Sequence, residues 1–177
     1  MKTYLDFAST TPMATEVIEE MHAVMSEASF GNPSSLDHEY GIRAKNIIEE
    51  SRNEVASLIN AKPEEIVWTS GATESNNLAI VGFHQFQYKN QALRFVTSHL
   101  EHKSVIESLQ SVEALGSNVS YIQPNKDGQI DIETFTSQMD PNTTFVSCMH
   151  INNETGAVND IANIGRYCRK NEIIFHV

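Results

Sequence analysis

The chain begins with two segments whose apolar residues recur at the spacing of an α-helix. After an N-terminal arm of residues 1–14, the pattern predicts an amphipathic helix over residues 15–28, with apolar positions at Val17, Ile18, Met21, Val24 and Met25. The loop of residues 30–35 contains Gly31 and Pro33 and interrupts the pattern. A second helix, the longest element, is predicted over residues 37–60, with apolar positions at Ile47, Ile48, Val55, Leu58 and Ile59.

From residue 65 onward, short apolar runs alternate with amphipathic segments. The runs predict strands over residues 65–69, 93–97, 118–122, 144–151 and 173–177. Helices are predicted over residues 102–115, ending at Gly116, and over residues 161–171, with Asp160 as the N-cap. Repeated strand and helix units with apolar strands predict an α/β fold, in which helices cover both faces of a mostly parallel sheet.

The last predicted strand, Ile173 to Val177, is an apolar run typical of the centre of a sheet. The chain ends at Val177, the last residue of this predicted strand, and no covering helix follows the strand. We therefore expect residues 15–177 to be part of a larger domain, and the chain to be the front half of a longer protein.

Composition and charge indicate which binding partners and which cellular compartment to expect. The formal net charge is −11 and no basic block is present, so no nucleic-acid partner is expected. No apolar stretch is long enough for a membrane span, and the N-terminus does not resemble a signal peptide, which predicts a soluble, cytoplasmic protein. The two cysteines, Cys148 and Cys168, do not form a CxxC pair, so neither a disulfide framework nor structural zinc is expected.

Candidate chemistry lies in the loops that follow the predicted strands, because ligands of parallel sheets gather at the carboxyl ends of strands. The first loop, residues 70–77, is a glycine turn that leads into a helix. Free N–H groups at the start of that helix, together with the Thr73 hydroxyl, would bind a phosphate. The alternative is that Ser70 or Thr73 only caps the helix.

Two further loops carry polar side chains to the same edge. His102, at the start of the next helix, could stack on an aromatic ligand or transfer protons, or it could be an ordinary solvated or capping histidine. The loop of residues 152–156 offers asparagine amides for a ligand hydroxyl or carboxylate, although Asn and Gly are also ordinary turn residues. Convergence of the three loops predicts a pocket for a phosphorylated ligand.

Metal binding and thiol chemistry are weaker hypotheses. His99, His102, His150 and His176 could lie near this edge, but they lack the spacing of a known metal motif, so no metal site is predicted. Cys148, inside the predicted strand of residues 144–151, and Cys168, on a predicted helix, are interpreted as packing residues.

Five motifs, taken in order and spacing, resemble the cysteine desulfurases of the class V aminotransferase group. The match looks closest to the housekeeping enzymes of iron–sulfur cluster assembly and spans the whole chain. The motifs are Tyr4-Leu5-Asp6-Phe7-Ala8-Ser9-Thr10-Thr11-Pro12, Phe30-Gly31-Asn32-Pro33-Ser34-Ser35, Thr69-Ser70-Gly71-Ala72-Thr73-Glu74-Ser75-Asn76-Asn77-Leu78-Ala79, Glu101-His102 and Met149-His150-Ile151-Asn152-Asn153-Glu154-Thr155-Gly156.

The resemblance implies a homodimeric enzyme of fold type I that uses pyridoxal 5'-phosphate (PLP). It converts L-cysteine to alanine and holds the sulfur as a persulfide for a sulfur-acceptor or scaffold protein, in iron–sulfur cluster or thio-cofactor synthesis. Ala72 and Thr73 would bind the PLP phosphate, and His102 would lie over the ring and take part in proton transfer. Asn153 would reach the ring hydroxyl and the substrate carboxylate. Asn32 and His38 would border the active-site entrance.

Two departures from the family pattern qualify this prediction. Phe7 stands where the family has a histidine or an asparagine, which could alter the fit of the substrate. The family's aspartate partner of the pyridine nitrogen, its glutamine, its Schiff-base lysine and its persulfide cysteine are not found, so the 177-residue chain alone is expected to be inactive. The alternatives are a non-catalytic remnant that binds a phosphorylated ligand or a partner chain and, third, a metal-dependent hydrolase.

Overall fold

A computed structural model describes residues 3–26, 30–87 and 92–177, and their contacts divide the chain into the units Met1–Trp68 and Thr69–Val177. The first unit contains helix α1 (Thr15–Val24), helix α2 (Glu39–Leu58) and a single 3-10 turn at Pro63–Glu65. Both predicted helices are present, but α1 ends at Val24, and its predicted end at Ala28 lies outside the described residues. The predicted organisation into an arm of residues 1–14 and a partial domain of residues 15–177 stays a prediction.

The start of α2 is packed against the loop that precedes it. His38 caps the helix, because its ring Nδ1 accepts a hydrogen bond from the backbone N–H of Gly41 at 3.1 Å. A Cβ atom at Gly41 would lie 1.7 Å from the carbonyl oxygen of Ser35, so only glycine allows the loop of residues 30–35 to approach the helix this closely.

The second unit is a parallel sheet with helices on both faces, which confirms the predicted α/β class. The four strands lie in the order β2-β1-β3-β4, and every neighbouring pair is parallel. The elements of this unit, in chain order, are α3 (Ala72–Gln87), β1 (Arg94–Ser98), α4 (Lys103–Ala114), β2 (Asn118–Ile122), α5 (Ile132–Ser137), β3 (Phe145–Ser147), α6 (Ile161–Lys170) and β4 (Ile174–His176).

Each face of this sheet has its own apolar core, because successive strand residues point to opposite faces. Phe95 of β1 and Phe145 of β3 pack with apolar residues of α3 and α4, among them Leu109. The next residue of each strand, Val96 and Val146, faces the other way and packs with residues of α5 and α6. Among the described helices, none is long and apolar enough to cross a lipid bilayer.

The strand predicted over residues 65–69 is wrong. Glu65 belongs to the 3-10 turn, and residues 66–69 are irregular, without a ladder partner among the described residues. Val67 and Trp68 are exposed, and the Trp68 ring packs under the guanidinium of Arg52. A β-branched run favours a strand only where a second strand supplies the hydrogen bonds.

Two other strands are shorter or placed differently than predicted. The strand predicted over residues 144–151 ends at Ser147, so Cys148 lies just beyond it, and Ile151 instead forms an antiparallel bridge with Val158. The last run forms β4 at the edge of the described sheet rather than at its centre, and Ile174 is 49% exposed. The short helix α5 is not predicted by the apolar pattern.

Candidate functional site

The order of the strands creates a crevice at the carboxyl ends of β1 and β3. The chain passes from β1 to β2 on one side and then returns to place β3 on the other side of β1. Loops that leave neighbouring parallel strands in opposite directions open a space between them, and this is where α/β proteins bind ligands. Here the two loops are residues 99–102, which lead into α4, and residues 148–156.

Two hydrogen bonds hold these loops together. The backbone N–H of Met149 donates to the Glu101 carboxylate at 2.8 Å, and the Asn152 side-chain amide donates to the carbonyl oxygen of Leu100 at 2.9 Å. Between the loops lies a cleft of about 260 Å³, lined by His99, Leu100, Glu101, His102, Lys103, Asn152, Asn153, Glu154 and Thr155. Its lining is rich in polar and charged side chains.

The Glu101 carboxylate, which accepts one of the two hydrogen bonds between the loops, is largely buried. Loss of water around it raises its pKa, and the hydrogen bonds from the Met149 N–H and the Ser98 hydroxyl oppose that rise. The Glu101 side chain therefore joins the two loops through the hydrogen bonds it accepts, and its charged form loses hydration there.

The neighbouring asparagines of the second loop have different roles. Asn152 is buried, and its side-chain oxygen accepts hydrogen bonds from the backbone N–H groups of Glu154 and Thr155, which fixes the turn. Asn153 is exposed and lines the cleft. The turn function expected of an asparagine thus falls to Asn152, which leaves the Asn153 amide available to a ligand.

His102 both caps α4 and lines the cleft. Its Nδ1 accepts a hydrogen bond from the backbone N–H of Ser104 at 3.2 Å and lies 2.8 Å from the Ser104 hydroxyl. Within the described residues no hydrogen bond reaches its Nε2. The capping and the ligand-facing hypotheses are therefore compatible, because they use different nitrogens of one ring.

The glycine turn leads into α3, as predicted. Ala72 and Thr73 are the first two residues of the helix and are exposed. Thr73 makes no side-chain hydrogen bond to another described residue. The Glu74 carboxylate accepts hydrogen bonds from the backbone N–H and the hydroxyl of Ser70, at 2.7 and 2.5 Å, and these bonds lower its pKa.

One hydrogen bond connects the start of α3 to the start of α4. The Asn76 amide, in the first turns of α3, donates to the hydroxyl of Ser104 at 2.7 Å. Since Ser104 also contacts His102, the glycine turn at the start of α3, which is the predicted phosphate site, lies beside the loop that carries the histidine. The three loops singled out from the sequence are therefore neighbours in the structure, although the first of them does not follow a strand.

Of the histidines considered for a metal site, His99 lines the cleft with His102, whereas His150 and His176 do not, and neither cysteine lines it. The His99 ring packs against Tyr121, and the His176 ring contacts the Ser147 hydroxyl at 2.8 Å. Over residues 3–26, 30–87 and 92–177, no group of three His, Cys, Asp or Glu side chains could hold a metal ion. Burial raises the pKa of the Cys148 thiol to about 12 and that of Cys168 to about 11, so neither is an activated nucleophile at neutral pH.

Asn32 and His38 belong to the first unit. The Asn32 side-chain oxygen accepts a hydrogen bond from the backbone N–H of Ser34 at 3.0 Å, and His38 caps α2. Their predicted place at an active-site entrance stays a prediction.

Sequence reasoning gave no role to three residues that shape the site: Asn76, Glu101 and Ser104. Ser104 carried a signal, because it interrupts the apolar face of the predicted helix, where a buried hydroxyl needs a hydrogen-bond partner. Asn76 follows Ala72 by four residues and so lies above it on one helix face. Glu101 carried no such signal, since a glutamate in a loop is ordinarily solvated.

Comparison with known proteins identifies the family. The model of the family "Aminotransferase class-V" matches residues 3–177. The "Cysteine desulfurase IscS" of Pseudoalteromonas translucida is 45% identical over 175 residues, which are 98% of this chain and 43% of that protein. The protein of the same name from Shewanella sediminis is 47% identical over the same shares of the two chains.

A solved structure agrees with these relatives. The structure titled "SspA in complex with cysteine" superposes with a TM-score of 0.91 at 36% identity, covering 99% of this chain and 50% of that one. The chain spans about 43% of the length of the curated relatives that it matches. On the family match over residues 3–177, the chain belongs to the class V aminotransferase family.

Proposed function

We propose that this chain supplies the phosphate-binding and ring-binding part of a PLP-dependent cysteine desulfurase. The observation that carries the proposal is the cleft in which His102 and Asn153 face a common space, with the first turns of α3 and α4 joined beside it. Relatives named cysteine desulfurase at 45% and 47% identity support the activity, and a similar structure titled as a complex with cysteine supports the substrate.

The start of α3 suits a phosphate group. The first N–H groups of a helix have no intrahelical acceptor, and the helix dipole favours an anion there. The exposed Thr73 hydroxyl adds a donor, and a Cβ placed on Gly71 would meet nothing within 4 Å, so the turn leaves open space for a ligand. The one acidic side chain of this turn, Glu74, is held by its two hydrogen bonds from Ser70.

The cleft suits the rest of the cofactor and the amino acid. When bound, PLP supplies an electron sink for bond breaking at the substrate carbons. His102 would lie against the ring and exchange a proton through Nε2, the nitrogen that its capping bond leaves available. Asn153 would donate an amide hydrogen to the ring hydroxyl or to the substrate carboxylate. The reaction converts L-cysteine and an enzyme thiol into L-alanine and an enzyme persulfide.

Assembly and partners belong to the same proposal. The family resemblance supports a homodimer, a sulfur-acceptor or scaffold protein as the recipient of the sulfur, and action in the cytoplasm. It also supports a role in iron–sulfur cluster assembly, which the names of the relatives favour.

The direct test is amino-acid turnover by the protein in its natural full length. We expect PLP-dependent formation of alanine from L-cysteine, with one sulfur released per alanine in the presence of a thiol reductant. Asn153→Ala should raise the KM for cysteine by about tenfold or more, the worth of a hydrogen bond to a charged group. Asn142→Ala, in an exposed turn before β3, is the matched control. Absence of alanine formation, with turnover of another amino acid, would contradict the proposal.

A further inference from the structure

The hydrogen bonds around His102 fix where its proton lies. A backbone N–H can only donate, so the Nδ1 that receives the Ser104 N–H must present a lone pair. A neutral imidazole has one protonated nitrogen, which is then Nε2. The capping bond of α4 thus selects one tautomer of the histidine.

The Ser104 side chain reinforces that selection. Its hydroxyl lies 2.8 Å from the same Nδ1, and Ser104 is only 4% exposed, so water does not compete freely for the bond. Because Nδ1 already presents its lone pair, the hydroxyl must donate its proton to the ring. The serine oxygen is then left as an acceptor, with lone pairs directed elsewhere.

Asn76 completes the arrangement. Its amide nitrogen donates to the Ser104 oxygen at 2.7 Å, which occupies a lone pair of that oxygen and leaves the hydroxyl proton directed at His102. With the amide reversed, its oxygen would take the serine proton, and two lone pairs would face each other between Ser104 and Nδ1 at 2.8 Å. Donation from the Asn76 amide nitrogen avoids that repulsion.

We infer that Asn76 and Ser104 are positioning residues that hold His102 in the Nε2-protonated tautomer, so that the ring exchanges protons with the cleft through Nε2 alone. The inference rests on the proposed function only for its catalytic meaning, since the tautomer is a property of these three side chains. It also makes α3, whose first residues form the proposed phosphate site, a support for the histidine.

The test is the protonation of the His102 ring nitrogens, measured by NMR on the natural full-length protein labelled with ¹⁵N-histidine. At a pH where the ring is neutral, we expect Nδ1 at the unprotonated and Nε2 at the protonated chemical shift. The His102→Gln spectrum assigns the signals. Nδ1 protonation in the wild-type protein would overturn the inference.

Three variants test the roles of the two residues. Ser104→Ala removes the hydroxyl, and Asn76→Asp offers a carboxylate that takes the serine proton, so both should raise the Nδ1-protonated population several-fold. Ser104→Thr restores the donor and should restore the wild-type spectrum. Ser111→Ala, which alters an exposed serine of α4, and Asn118→Asp, which adds a charge at an exposed site, are the controls. Unchanged ring shifts in both Ser104→Ala and Asn76→Asp would overturn the inference.

A kinetic measurement separates this inference from the proposed function. Ser104→Ala should lower kcat for alanine formation by about threefold to tenfold, as expected for one hydrogen bond, with little change in KM. Ser104→Thr should recover the rate. The predicted tautomer without any cysteine turnover would refute the proposed function alone, whereas turnover with ring shifts and kcat unchanged in the variants would refute the inference alone.

Discussion

His99 and His102 lie three residues apart in one loop, yet their rings meet different neighbours. The His99 ring packs against Tyr121 with 5.3 Å between ring centroids, whereas His102 is fixed by Ser104 at the start of α4. We predict that His102→Ala lowers kcat for alanine formation by about 100-fold or more, the usual contribution of a proton-transfer group. His99→Ala should leave kcat near the wild-type value.

The comparison is made at saturating cysteine in the natural full-length protein, with and without a metal chelator. Equal losses in the two variants, or inhibition by the chelator, would favour the metal-dependent alternative over the PLP site.

Glu101 supplies a prediction on stability and pH. Burial raises its pKa, so the folded state holds the proton more tightly than the unfolded state does. Its favourable contribution is therefore complete below the ordinary value of 4.5 and is lost as the pH rises through the raised pKa. We predict that Glu101→Gln, which keeps an acceptor for the Met149 N–H, raises the thermal midpoint at pH 7 and that the gain disappears near pH 4.

Thermal unfolding of the two proteins across this pH range checks the prediction. A variant that is less stable than the wild-type protein at pH 7, or a difference independent of pH, would show that the carboxylate charge itself stabilises the contact between the loops.

At the scale of elements, local signals decided which predictions succeeded. Strand β2 has its predicted bounds, and α4 is predicted to within one residue at each end, because a strong apolar period and Gly116 mark it. Residues 65–69 read as a strand but find no partner among the described residues, since pairing is not a local property. The six residues of α5 are too few to show a helical period.

Helix α4 packs its apolar residues against one face of the sheet. It begins directly after His102, the histidine of the candidate site. Leu109 is fully buried in that core, so Leu109→Ala should lower the free energy of unfolding by about 2–5 kcal/mol. Leu115, at the C-terminal end of the same helix, is 51% exposed and provides the control. Chemical denaturation of both variants measures the difference, and a comparable loss in Leu115→Ala would contradict the assigned core.

At the scale of the whole molecule, the candidate site draws on segments far apart in the sequence. Strand order places the loops after β1 and β3 at one crevice, and the sequence alone predicts this neighbourhood because parallel strands end at a common edge. The bonds that join the segments, from Asn76 to Ser104 and from Met149 to Glu101, are not predictable in this way. They depend on side-chain directions that only the packed fold determines.

The central claim is that the start of α3 binds the phosphate of PLP, and its most direct test is the affinity of the natural full-length protein for PLP relative to pyridoxal, which lacks the phosphate. Titration calorimetry should give a preference for PLP of about 100-fold or more, because each hydrogen bond to the charged phosphate contributes substantially to the free energy of binding. Thr73→Val should reduce that preference by about tenfold or more, and Thr73→Ser, which keeps the hydroxyl, should retain it. Equal affinities for the two compounds, or a preference that Thr73→Val leaves unchanged, would contradict the claim.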